Sequence, residues 1–256
     1  MNLLFLGTCA CDYSPKLKTE LNDKFDFDAR RSSSALLNGH VLIDCGDHTL
    51  DSLRIAGIDK SKITDVVITH LHHDHFRADH IEYIAGQTES KLRLWVRADA
   101  ILPDIKNVDV IRIKPLSTYE LDGDMKITGL RANHDENSYP QYLYIEDKYK
   151  KLLYATDGAW FISETYYWLR NKSVDTLIID ATCGDYIGDY RMAEHNSIPI
   201  IRMMLPSLKT WGVVGDKTKI YLTHIAPSLH KPHEEIVKSV KNDGICVAFD
   251  GLKINI

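Results

Sequence analysis

Between positions 69 and 75 the chain reads Thr-His-Leu-His-His-Asp-His, and no other string constrains its fold as strongly. The string follows the β-like run Asp65–Thr69, so it occupies the loop leaving a strand end. Loops held on a rigid scaffold are where functional side chains are placed. Imidazole and carboxylate are natural ligands for zinc, manganese or iron. Four histidines and one aspartate within six residues have no good structural use in a solvated loop. His70 and His72, two apart, can point to one side of an extended loop. Asp74 and His75 can then turn toward a second ion.

The rest of the chain supplies a scaffold for such a loop. Twelve short β-like runs, from Leu3–Leu6 to Cys246–Phe249, alternate with helix-like segments at His48–Ala56, Ala78–Ala85, Ser163–Leu169, Ile198–Met204 and His233–Lys241. Strands outnumber helices, and helices occur in both halves. That pattern favours a layered α/β (α+β) domain, with sheets packed on each other and helices outside. A chain of 256 residues is long enough to build this as one domain over residues 1–256.

Composition excludes several classes. The formal net charge is −5, which gives no support for strong nonspecific binding to DNA or RNA. No segment approaches the roughly 18–20 apolar residues that span a bilayer, so no membrane role is expected. The apolar start Met1–Leu6 reads as a first strand rather than a signal peptide. Five cysteines with no Cys-x-x-Cys pair argue against a disulfide framework and for a reducing, cytoplasmic setting.

His-x-His-x-Asp-His after a strand resembles the signature of the metallo-β-lactamase fold superfamily. Four further elements occur in the order that superfamily has. Asp44, in Leu42-Ile43-Asp44-Cys45-Gly46, resembles the early strand-end aspartate that orients the metal loop. His134 resembles the third histidine. Asp157, in Tyr154-Ala155-Thr156-Asp157-Gly158, resembles the aspartate that bridges two metals. His224 resembles the final histidine. The resemblance implies a four-layer αβ/βα sandwich carrying two divalent ions, with zinc favoured and manganese or iron open. It places His70, His72 and His134 on the first ion and Asp74, His75 and His224 on the second, with Asp157 shared. Paired cations lower the pKa of bound water and neutralise charge on a substrate.

A second signature narrows the branch. Ile179-Asp180-Ala181-Thr182 followed by Glu194-His195-Asn196-Ser197 resembles the acidic-Ala-Thr and His-x-Ser motifs of tRNase Z and PhnP-like phosphodiesterases. The resemblance makes His195 the general acid for the departing alkoxide and Asp180 the residue that steers it, and it counts Asp74 with them as catalytic. His134 and Asp157 are only 23 residues apart, which leaves no room for the projecting arm that a tRNase Z often carries there. The expected substrate is therefore a small, often cyclic, phosphodiester, attacked by a hydroxide bridging the ions; RNA stays open as a substrate class. PhnP-type proteins commonly have a cysteine-rich zinc site near the N-terminus, and only Cys9 and Cys11 occur here, so ordinary thiols are expected. Arg30 and Arg31 read equally well as phosphate contacts or as a polar turn. Tyr139 and Tyr142, close after His134, are expected to wall the substrate pocket. A homodimer is common among relatives. The rival functions are hydrolysis of a carboxylic ester, lactone or thioester, and a non-catalytic binding protein keeping the fold.

Overall fold

A computed structural model describes residues 1–19 and 23–256, without the side chains of residues 18 and 19. The first eight elements are β1 (Asn2–Gly7), α1 (Lys16–Thr19), β2 (Ser34–Leu37), β3 (Val41–Ile43), α2 (Thr49–Ile55), β4 (Asp65–Val67), α3 (Ala78–Ala85) and β5 (Leu92–Arg97). Next come β6 (Val108–Ile113), β7 (Thr118–Asp122), β8 (Met125–Arg131), β9 (Gln141–Glu146), β10 (Lys151–Ala155), α4 (Ser163–Leu169) and β11 (Thr176–Asp180). The last are α5 (Ile198–Thr210), β12 (Lys219–Thr223), α6 (His233–Val240), β13 (Ile245–Val247) and β14 (Lys253–Asn255).

These elements form two compact units, each built on one seven-stranded mixed sheet. The first unit comprises Met1–Lys114, Asn137–Tyr139 and Phe249–Asn255. Its sheet runs β14-β1-β2-β3-β4-β5-β6, antiparallel as far as β3 and parallel beyond. Strands β2, β3 and β4 are buried at every position, as their near-continuous apolar runs require. The charged exception is Asp65, whose carboxylate accepts from Arg93 Nη2, Trp95 Nε1 and Thr64 Oγ1, each at 2.7 Å. Leu53 of α2 and Ile81 and Ile84 of α3 pack into a core with Leu42, Val66 and Leu94.

The second unit comprises Pro115–Glu136, Pro140–Ala248 and Ile256. Its sheet runs β13-β12-β11-β10-β9-β8-β7, parallel as far as β10 and antiparallel beyond. Helices α4, α5 and α6 contribute Leu169, Ile201, Met204, Leu208 and Ile236 to a core shared with Leu177 and Leu222. Helix α5 is longer than the expected Ile198–Met204 and runs through Pro206 to Thr210. Proline removes a helix donor. The apolar repeat Ile201, Met204, Leu208 is buried all the same and carries the helix onward. Ser197 caps its start by accepting from Ile200 N.

Mixed sheets with helices in both halves bear out the α+β expectation. Two edge strands, β7 and β14, were not expected. Among the described residues no helix is long and apolar enough to cross a membrane.

Candidate metal centre

In both sheets the residues of interest gather where parallel strands end, the usual place for a site in such sheets. Asp44 follows β3, Thr69 and His70 follow β4, Asp157 follows β10, Asp180 closes β11 and His224 follows β12. Asp44, Asp157 and His224 all lie in the left-handed backbone region, with φ of 61°, 50° and 56°. That conformation is uncommon for residues with a side chain and collects at functional sites.

In the first unit, Asp44 organises the histidine loop. Its Oδ1 accepts from Thr69 N at 2.8 Å, and its Oδ2 lies 2.7 Å from His75 Nδ1. Nδ1 therefore carries the proton, and Nε2 of His75 is the acceptor nitrogen that could bind a cation. Burial pushes the Asp44 carboxyl up despite His75 and Thr69, which favour its charged form. His75 Nε2 stands 3.2 Å from Asp74 Oδ2, and His70 Nε2 stands 3.1 Å from His72 Nδ1. Each pair aims two donor atoms at one place. The loop backbone is fixed by Cys45 N on His75 O and Arg77 N on Cys45 O, both 2.8 Å, and by Leu71 N on Ser138 O at 2.9 Å. Gly46 is required beside it, because a Cβ there would overlap the Asp74 carbonyl.

His73 turns away from these side chains. Its Nδ1 meets Asp47 Oδ2 at 2.7 Å, and Asp47 also accepts from Arg77 Nη1 and the Tyr13 hydroxyl.

The second unit holds a denser cluster. Asp157, Asp180, His195 and His224 bring one ligand atom each within 4.8 Å of one another. His224 Nδ1 lies 2.8 Å from Asp157 Oδ1, and His195 Nδ1 lies 2.9 Å from Asp180 Oδ2. The other oxygen of Asp180 accepts from Asn196 N at 2.9 Å and Thr182 N at 3.0 Å. Although burial opposes it, His195 and His224 hold the Asp180 carboxyl well below the usual carboxylate range. Burial also disfavours charge on His195, but the Asp180 carboxylate outweighs it and raises the ring's pKa. His195 and His224 stack with centroids 5.4 Å apart. His134 meets the His195 ring edge-on at 5.0 Å and donates from Nδ1 to the Glu194 carbonyl at 3.3 Å. That contact places the ring proton on Nδ1 and makes Nε2 the acceptor nitrogen.

Thr182 carries more of this geometry than its place in the motif suggested. Its hydroxyl lies 2.7 Å from His224 Nδ1, 2.9 Å from Asp180 Oδ2 and 3.2 Å from His195 Nδ1. The sequence marked Thr182 only as part of Asp180-Ala181-Thr182; that it touches both histidines depends on tertiary folding.

Other expectations sort clearly. Arg30 and Arg31 are buried, Arg30 donates to Thr8 Oγ1 at 2.6 Å, and Arg31 N donates to Asp250 at 2.7 Å. The segment is not the polar turn expected, because Arg30–Ser34 are all buried and lead through the Cys9–Ser32 bridge into β2. All five cysteines are free, and among the described residues none joins a metal-capable cluster. Tyr142 is a core residue rather than a pocket wall. It packs on Phe161 and donates to Ala159 O, and it lies so close to Gly158 that a Cβ there would strike its hydroxyl.

The donor chemistry fits divalent transition-metal ions, since imidazole nitrogens and carboxylate oxygens are supplied with their second atoms held in place. Residues 40–225 match the beta-lactamase superfamily domain, a span running from before Asp44 to just past His224. No curated protein is similar enough to match the chain. Among solved structures, the metallo-beta-lactamase fold protein YhfI from Bacillus subtilis is 18% identical with a TM-score of 0.74, over 99% of this chain and 98% of that one. A diphosphatase of the PhnP family is 21% identical with a TM-score of 0.72, over 100% and 97% of the two chains. The short form of human tRNase Z is 20% identical with a TM-score of 0.70, over 100% and 99%. These likenesses show the metallo-β-lactamase fold.

Proposed function

The chain belongs to the beta-lactamase superfamily, whose members are mainly metal-dependent hydrolases, and we propose that it is a phosphodiesterase acting on small or cyclic phosphodiesters. The reading assigns His70, His72 and His134 to one cation, Asp74, His75 and His224 to a second, and Asp157 to both. Zinc is the favoured metal. When bound, such a pair would lower the pKa of water and neutralise charge on phosphoryl oxygens.

The observation that carries the reading is the pairing of the part-buried His195 with the buried Asp180 at 2.9 Å. Hydrolysis of a phosphodiester expels an alkoxide, which needs a proton more than the thiolate leaving group of a thioester does. Asp180 fixes Nδ1–H of His195 and raises the ring's proton affinity. Nε2 is then left to carry a proton to the leaving oxygen. The similarity to a PhnP-family diphosphatase and to tRNase Z supports the same chemistry, and the net charge of −5 favours the smaller substrate. A reducing, cytoplasmic location agrees with five free cysteines.

The test is metal analysis of the purified protein together with a substrate panel. Two ions per chain and turnover of bis-p-nitrophenyl phosphate or a cyclic nucleotide are expected. Turnover of lactones or thioesters without phosphodiesters overturns the substrate class. Less than one ion per chain under metal-replete conditions overturns catalysis itself.

A further inference from the structure

The loop that joins Asp180 to His195 and the segment that follows His224 do more than carry those residues. They also line a groove of about 540 Å³ in the second unit. That size suits a single ring system or a nucleoside. The groove wall and the His195 loop are one body. Cys183 N donates to Asn196 O at 3.0 Å, and Ile198 N to Gly184 O at 2.8 Å, which ties the two ends of the loop together. Gly184 sits directly against the Leu229 carbonyl, and His230 Nε2 donates to Ala181 O at 2.6 Å, one residue from Asp180.

The lining specifies its occupant. Leu229 and Ile236 are buried and give an apolar floor. Tyr186 and Ile187 stand at the wall with 53% and 80% of their surface exposed, although both are large and apolar. An exposed tyrosine beside an apolar floor offers one face for stacking a flat ring. Asp185 and Glu235 oppose the one cation Lys231, which already lies 4.0 Å from Glu235. A phosphate would therefore be repelled here, whereas amino or hydroxyl hydrogens would find carboxylate acceptors.

We infer that this groove is a leaving-group pocket for an uncharged aromatic or heteroaromatic ring bearing amino or hydroxyl donors. The leaving-group role rests on the phosphodiesterase reading, whereas the ring site stands without it. Asp185, Tyr186 and Ile187 of the groove wall belong to the same loop that carries His195, the residue assigned to protonate the departing oxygen, so one segment would place both the ring and the proton donor.

Two measurements separate the pocket from the reaction. The first is ligand-observed NMR of adenosine with the metal-loaded protein, with ribose as the ringless control. Adenosine should bind and ribose should not, and Tyr186→Ala should weaken adenosine about five-fold or more. Equal binding of adenosine to wild type and variant, or none to either, overturns the pocket whatever the enzyme hydrolyses. The second compares two methyl phosphodiesters with leaving groups of matched acidity, one phenol and one fluorinated alkyl alcohol. Tyr186→Ala should raise KM for the phenyl ester about five-fold and leave the alkyl ester unchanged. Equal effects on the two esters overturn the leaving-group role. If wild type hydrolyses neither ester, the phosphodiester reading fails and the leaving-group role with it, while the adenosine result still decides the ring site.

Discussion

Asp44 and His75 meet at 2.7 Å through a carboxylate oxygen and Nδ1, and both side chains are wholly buried. This contact sets which nitrogen of His75 faces the ligand side. Asp44→Asn keeps the size of the side chain but replaces one acceptor oxygen by an NH2 group. Either Thr69 or His75 then loses its acceptor, and the ring can turn. Metal affinity should fall about 10- to 100-fold, the usual cost of losing an outer partner of a ligand histidine. Competition with a chromophoric chelator measures it, and an unchanged affinity would rule out the orienting role.

Gly46→Ala should damage the same loop by a different route. The added methyl would overlap the Asp74 carbonyl, and backbone cannot move aside as a flexible side chain can. A destabilisation of about 2 kcal/mol or more is expected, in the range of overpacked sites. Chemical denaturation of the metal-free protein reads it. Metal analysis should show Asp74 and His75 binding poorly in the same variant. A fully stable variant with two ions would contradict the crowding.

His195 and Asp157 lie 3.5 Å apart and yet should fail differently. His195→Ala should lower kcat by about 10²–10⁴-fold, the range for losing a general acid, and leave metal content intact. Asp157→Ala should release metal. Loss of metal from the His195 variant would mark that ring as a ligand, which the cluster of Asp157, Asp180, His195 and His224 also permits geometrically.

The candidate residues were legible because they are local and chemically distinctive. His70 to His75 share one loop, and each later residue closes an apolar run whose end a reader can see. The sheets were legible for the same reason, since buried parallel strands carry unbroken apolar runs such as Val41–Ile43 and Leu177–Ile179. The edge strand Thr118–Asp122 was not, because only Leu121 in it is buried and its polar residues read as loop. Tyr142 was misplaced because proximity in sequence to His134 says nothing about which face of β9 it occupies. Thr182 and the groove beside Tyr186 depend on contacts between segments far apart in the chain, and no local pattern announces those.

Thr182 should prove a positioning residue. Its hydroxyl has one hydrogen to give, to Asp180 or to the His224 carbonyl at 3.0 Å, and can accept from His224 Nδ1. Thr182→Val keeps the shape and removes all of these contacts. A fall in kcat of about ten-fold is expected, equivalent to one hydrogen bond, with KM little changed. Metal affinity should weaken in parallel, because His224 loses a partner. Thr182→Ser should restore both. Failure of serine to rescue would mean that packing of the methyl group, rather than the hydroxyl, matters.

Asp250 sets a pH dependence away from the metal residues. Its carboxylate is wholly buried, accepts from Thr8 Oγ1 at 2.8 Å and Arg31 N at 2.7 Å, and faces Arg30. Burial outweighs these partners and pushes its pKa up to about 6. In the unfolded chain an aspartate titrates near 4. As pH rises through that window the unfolded chain gives up the proton first, while the native protein still holds it. The contribution of Asp250 is therefore full below about pH 4 and lost by about pH 6, a change of about 3 kcal/mol. Other groups titrate in the same range, so the useful quantity is a difference. Unfolding free energies of wild type and Asp250→Asn should be measured by denaturant titration from pH 4 to pH 7. Wild-type stability relative to the variant should fall as pH rises across that interval and level off above it. Two parallel curves would show that Asp250 titrates normally in the native protein and that its burial is fully compensated by Arg30, Arg31 and Thr8.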